Sequence, residues 1–273
     1  MPTAKVGDIN IYYEIHGKGE PLVMINGASG SVEWLYQAIP VYSREYRLIV
    51  FDNRGAGRSD APDIPYTTEM MADDAAGLLD AIGIDSAHIW SGSMGGMIAQ
   101  QFVLRYPKRV RSLILACTYC GGPNSSIMTD PETMRAIEHM QGLSGKELMM
   151  ETLRLCLSQK FINDNPGPIK EMIKNMMKHP ITSHGQMRQG QAVMGHNTYE
   201  RLPEIKAPTL VISGDADKLI PVENSRIIAS RIPGAELAIL KKMGHLFMFE
   251  AEDESNRIML DFLKRHSISG KGK

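Results

Sequence analysis

Six short runs of consecutive apolar residues constrain this chain more than any other feature. They are PLVMIN (21–26), RLIVFD (47–52), AHIWSG (87–92), RSLILAC (111–117), PTLVISG (208–214) and ELAILK (236–241). A strand apolar at successive positions leaves neither face for water, so it belongs in a parallel sheet covered by helices. The segments TTEMMADDAAGLLDAIG (67–83) and MGGMIAQQFVLRYP (94–107) carry helical spacing, closed by a glycine and a proline. A further strand, INIYYEI (9–15), follows a turn at Gly7-Asp8, and a last helix covers 253–265. The fold class expected is α/β, with a mostly parallel central sheet and helices on both faces.

Between residues 122 and 200 the strand pattern stops. Asp130-Pro131 reads as a helix start and Ser144 with Glu147 as a capping box. Ile169, Met172, Ile173, Met176 and Met177 share one helix face. This stretch holds ten of the nineteen methionines, far above its share of the length. The reading is a core in two parts, 1–121 and 201–273, interrupted by a helical lid at 122–200. Such an insertion leaves after one strand and rejoins before the next. It therefore sits at the carboxyl edge of the sheet, where open α/β sheets bind ligands.

That edge also collects the chemistry. WSGSMGG (90–96) joins a strand to a helix through small residues. Ser91 still lies inside the strand, whereas Ser93 sits at the turn, so Ser93 is the candidate nucleophile. Ser91 then occupies a place where glycine is usual. A hydroxyl needs a base to take its proton, and His245 follows a strand in KMGHLFMFE. The imidazole needs a carboxylate, and both Asp215 and Asp217 follow PTLVISG. After RSLILAC, the alternative place for the acid, Thr118-Tyr119 offers none. The oxyanion needs two N–H donors. Met94, next after Ser93, supplies one, and Ala28 in the loop NGASGS (26–31) the other.

Taken in order, these motifs resemble the α/β-hydrolase superfamily over nearly the whole chain. NGASG (26–30) resembles its oxyanion loop, with Asn26 in place of the common histidine. DNRGAGRSD (52–60) resembles its D-x-R-G-x-G-x-S turn, and SGSMGG its nucleophile elbow less the first glycine. GDADKLIP (214–221) resembles the G-x-x-D-x-x-x-P acid motif, which selects Asp217, and GHLFMFE (244–250) the histidine motif. The resemblance implies an α/β-hydrolase fold with a helical lid, the triad Ser93, Asp217 and His245, and no cofactor or metal. Within the superfamily the chain is similar to 3-oxoadipate enol-lactonase-like proteins and carboxylesterases, through SVEWLYQAIP, SDAPDIPYTTEMMADD and HNTYERLPEIKAPTLVISGDADKLIPVEN. Serine at the elbow excludes the haloalkane dehalogenases and epoxide hydrolases of this fold, which use aspartate. The function expected is hydrolysis of small carboxylic esters or lactones. The alternatives are a hydrolase-like receptor or partner-binding protein with little turnover, and a C–C hydrolase or perhydrolase using the same triad.

Several remaining features carry a second reading. Lid methionines could mould to an apolar acyl group or simply pack the lid down. Trp34 and Phe247, with Met94, are expected to floor the pocket. Cys117-Thr118-Tyr119-Cys120 matches C-x-x-C, but Gly121-Gly122 follows, so it reads as a buried strand end. GAGRSD (55–60) places Asp60 where a dinucleotide fingerprint needs glycine. The seven other histidines, His196 among them, read as surface or hydrogen-bonding residues. A net charge of −1 gives no field for nucleic acid or anionic membrane. No signal peptide or membrane-length apolar run is visible, and three cysteines suit a reducing compartment. The expectation is a cytoplasmic monomer or homodimer.

Overall fold

Alternation within each apolar run sets the two faces of the sheet. In PLVMIN, Val23 and Ile25 pack into one apolar cluster while Leu22 and Met24 pack into another. Ile49 and Phe51 oppose Leu48 and Val50 in the same way. The computed structural model describes residues 2–267 except 124, 128, 129 and 141, so Met128 and most of the SISGKGK tail lie outside the described residues.

The strands are β1 (Thr3–Val6), β2 (Ile9–His16), β3 (Glu20–Ile25), β4 (Tyr46–Phe51), β5 (Ala87–Gly92), β6 (Val110–Ala116), β7 (Thr209–Gly214) and β8 (Glu236–Leu240). They form one sheet in the order β1-β2-β4-β3-β5-β6-β7-β8. The β1–β2 and β2–β4 pairs are antiparallel and all others parallel. Helices α1 (Ala38–Tyr42), α2 (Thr68–Ala81) and α3 (Met94–Arg105) lie in the first part of the chain. Five helices separate β6 from β7: α4 (Pro131–Met140), α5 (Gly145–Cys156), α6 (Gln159–Asp164), α7 (Pro166–Met176) and α8 (Ser183–Gly195). The last are α9 (Glu223–Arg231), α10 (Phe247–Glu250) and α11 (Glu252–Arg265).

One face of the sheet is covered by α2, α3 and α9 through Met71, Leu78, Ile98, Phe102 and Ile228. The other is covered by α1, α10 and α11 through Tyr42, Phe247, Met259, Phe262 and Leu263. Among the described residues no helix is long and apolar enough to cross a membrane.

One local expectation needs correction. Ser144 precedes α5, but its side chain makes no capping hydrogen bond. The first helical residue, Gly145, has φ +57°, which turns the backbone away from the geometry a capping box requires. Among the described residues, no methionine of the insertion lines the cavity described below. Met172 and Met176 pack against Leu153, and Met134, Met187 and Met194 face solvent.

A buried ion pair ties the loop after β4 to α2. Arg54 places Nε and Nη2 on the two carboxylate oxygens of Asp74 at 2.5 and 2.7 Å. Removing one member of such a pair strands a buried charge, whereas the exposed Arg105–Asp73 pair is screened by water. In urea unfolding, Asp74→Ala should therefore cost about 3–5 kcal/mol and Asp73→Ala no more than about 1 kcal/mol.

Candidate active site

Ser93 stands between β5 and α3 with φ 55° and ψ −125°, a conformation that costs a non-glycine residue about 1–3 kcal/mol. Neighbouring backbone over-determines it. Ser93 N–H donates to the Ala116 carbonyl at 2.9 Å, and Thr118 Oγ1 donates to the Ser93 carbonyl at 2.8 Å. Gly95 is required here, because a Cβ would stand 2.0 Å from the Ile25 carbonyl oxygen. Ser91 does not disturb the turn. It is fully buried in β5, and its hydroxyl donates to the Ile114 carbonyl of β6 at 2.6 Å.

The loop after β7 presents Asp217. Its Oδ1 accepts from the Leu219 and Ile220 N–H groups, both at 2.9 Å. This leaves Oδ2 for His245 Nδ1 at 2.7 Å. With Nδ1 bonded to the carboxylate, Nε2 is the ring nitrogen left for other partners. Both residues are buried, at 6% and 5% exposure, so the pair is shielded from water. Asp215 is not part of it; its carboxylate accepts from the Lys242 N–H at 2.5 Å.

Ser93 and His245 line one cavity of about 220 Å³. Its wall is mostly apolar, with Trp34, Trp90, Leu246, Met248, Phe249 and Met259 contributing. Ala28 lines it beside Ser93, where a Cβ on neighbouring Gly27 would lie 3.7 Å from Ser93 Oγ. Met94 is the first residue of α3, so its N–H is one of the donors a helix leaves without an internal acceptor. Its side chain lies in the α2/α3-side core rather than in the cavity. Trp34 lines the cavity, but Phe247 does not. Phe247 turns under the sheet beside Met259 and Phe262, and its helix neighbours Met248 and Phe249 face the cavity instead.

The helices between β6 and β7 hold this site in two places that sequence reasoning missed. Gln189 of α8 is fully buried; its Oε1 accepts from Ser29 N–H at 2.8 Å and its Nε2 donates to the Arg54 carbonyl at 2.9 Å. It thereby fastens the loop carrying Ala28, where Ser29 has φ 64°. Glu250 accepts from Gly244 N–H at 2.7 Å and Ser158 N–H at 3.1 Å, joining the histidine loop to the α5–α6 turn. Leu246 N–H donates to the Cys156 carbonyl at 3.0 Å, beside that clamp. A lone glutamine and a lone glutamate carry no motif. Only the fold brings their amide partners together.

Cys117 and Cys156 also line the cavity. Burial, then the nearby Asp217 charge, pushes both thiols well up, so they stay neutral beside Ser93. Burial pushes Cys120 up to about 11. Cys117 and Cys120 pack into clusters on opposite faces of the sheet, so the C-x-x-C spacing does not pair them. Among the described residues no group of three or more His, Cys, Asp or Glu could hold a metal ion. The GAGRSD turn is structural: Asp60 accepts from Asn10 of β2, and Arg58 pairs with Asp52 and Glu33.

A family model for the alpha/beta hydrolase fold matches residues 20–148. A protein assigned as carbamate hydrolase RutD in Azorhizobium caulinodans is 30% identical over 96% of this chain and 98% of its own length. The chain belongs to the α/β-hydrolase family. A second family relative, 2-hydroxy-6-oxononadienedioate/2-hydroxy-6-oxononatrienedioate hydrolase 1 of Dechloromonas aromatica, is 31% identical over 94% of this chain and 91% of its own. Among solved α/β-hydrolase structures, the enol-lactonase from Burkholderia xenovorans LB400 superposes with a TM-score of 0.84 at 24% identity, covering 96% of this chain and all of the other.

His196, at the end of α8, makes hydrogen bonds to Thr68 at 3.0 Å and Thr198 at 3.4 Å. Burial lowers it from 6.5 to about 3, so it is neutral in the folded protein. The unfolded chain takes up this proton as pH falls through 6.5, so stability drops from there down to about 3 and then levels. The loss in urea-unfolding free energy between about pH 7.5 and pH 4.5 should be smaller in His196→Gln than in the parent.

Proposed function

We propose that this α/β-hydrolase is a serine hydrolase of small carboxylic esters or lactones. The observation that carries the reading is the buried Asp217–His245 pair opening onto the same apolar cavity as a strained Ser93. Ser93 Oγ attacks the acyl carbon while His245 Nε2 takes its proton. Asp217 holds the tautomer and stabilises the imidazolium. The carbonyl oxygen gains a negative charge and is met by the N–H groups of Met94 and Ala28. His245 then protonates the departing alkoxide, which in a lactone stays tethered to the acyl group. Water, deprotonated by His245, attacks the acyl-enzyme and returns the hydroxyl to Ser93. No electron leaves or enters, so the cycle asks for no redox partner.

The helices of residues 122–200 act as a lid in this reading, with Thr152 and Cys156 of α5 in the cavity wall. The three free, buried cysteines suit work in the cytoplasm. Ser91 gives no support to a low-turnover receptor reading, since it fits β5 with its hydroxyl satisfied. The 31% identity to the dienedioate hydrolase favours one second reading, C–C bond hydrolysis with the same triad. Product analysis separates the two: an ester yields an acid and an alcohol, whereas cleavage of a C–C bond beside a ketone yields an acid and a second fragment whose cleaved carbon has taken up a proton.

A fluorophosphonate probe should label the protein on Ser93 alone. Ser93→Ala should lose that label and at least about 10³-fold in kcat, and Asp217→Asn should lose about 10⁴-fold with the fold intact. Labelling elsewhere, or full activity in Ser93→Ala, contradicts the reading.

A further inference from the structure

The wall of the cavity carries a charge pattern that narrows the substrate. Among the described residues lining it there is no lysine or arginine. Arg58 pairs with Asp52 and Glu33, Arg54 with Asp74 through Nε and Nη2, and Arg188 with Asp63, and none of the three lines the cavity. The one carboxylate in the wall is Glu252, the first residue of α11, followed by Asp253 and Glu254. No ion pair or side-chain hydrogen bond neutralises Glu252 among the described residues. An anion entering this space would lose hydration, find no lysine or arginine in the wall and meet the Glu252 carboxylate.

The same wall offers neutral polar groups that lack partners. Trp34, Gln37 and Tyr42 line the cavity, and Trp34 Nε1, Gln37 Oε1 and the Tyr42 hydroxyl are buried without a hydrogen bond, so a ligand meets them only when these side chains turn toward it. Asn256 adds an amide. Native proteins rarely leave three such atoms around one cavity, and a ligand that pairs them removes the penalty. Two donors and an acceptor suit a neutral amide or hydroxyl better than a bare methyl.

We propose that the cavity takes an uncharged substrate whose apolar body ends in a neutral hydrogen-bonding group, and that Glu252 makes it refuse a carboxylate there. This rests on the ester- and lactone-hydrolase reading above. Glu252 is a specificity-determining residue in this account and takes no part in the bond-breaking steps.

The test uses three p-nitrophenyl esters of equal chain length, ending in a methyl, a primary amide or a carboxylate. With the full-length protein, kcat/KM should be highest for the amide ester and about tenfold or more lower for the carboxylate ester than for the methyl ester. Glu252→Gln should raise kcat/KM for the carboxylate ester relative to the methyl ester by about tenfold. Tyr42→Phe should bring the amide ester down to the methyl ester. Gln37→Met, on a half-buried side chain, is the second probe should the Tyr42 variant fold poorly, and should do the same. A carboxylate ester cleaved as fast as the methyl ester, or Glu252→Gln changing all three alike, overturns the inference. If that happens while Ser93→Ala still abolishes all hydrolysis, the serine-hydrolase reading stands alone. If Ser93→Ala leaves hydrolysis intact, that reading fails and takes this inference with it.

Discussion

The start of α3 lies against the end of β3, and the candidate site depends on that approach. Only an absent side chain at Gly95 permits it, and a Cβ on Gly27 would stand 3.1 Å from the Ser93 Cβ. The closeness forces Ser93 into a left-handed conformation and sets its side chain at the cavity. It also brings the β3 loop, with Ala28, beside the first turn of α3, with Met94. A strained serine persists because the parallel ladder holds both sides of it: β5 pairs with β3 on one edge and β6 on the other.

Asp217 and His245 are fixed by a second close approach, between the loops after β7 and β8. Ala216 N–H donates to the Met243 carbonyl at 2.9 Å, so Asp217 and His245 arrive already facing each other. The helical insertion then completes both halves. Gln189 fastens the Ala28 loop and Glu250 ties the histidine loop to the α5–α6 turn. A shift of α5 or α8 would therefore reach the polar groups of the site through two hydrogen-bonded contacts, as well as changing access to the cavity.

The parts legible in the sequence were those with a local signature. Six apolar runs and their turn residues located β3 to β8, and the acid motif separated Asp217 from Asp215. What was missed had no such signature. TAKV became β1 with Thr3 and Lys5 exposed and only Ala4 and Val6 buried, too short a pattern to stand out. ENSRIIASR became α9 although only Ile228 among its apolar residues is fully buried. Within the site, Phe247 was expected in the pocket because it follows His245 closely. The short helix α10 rotates it under the sheet and turns Met248 and Phe249 toward the cavity. Gln189 and Glu250 act across 160 and 92 residues of sequence, so nothing local announces them.

The central claim is that the strained serine becomes covalently acylated. Intact-mass spectrometry of the protein, quenched in acid within milliseconds of mixing with an activated ester, tests it most directly. The account predicts a mass gain of one acyl group, mapped to the peptide carrying Ser93, that rises and decays with turnover. Multiple turnover with no acylated species, and with Ser93 unmodified at every time point, would contradict it.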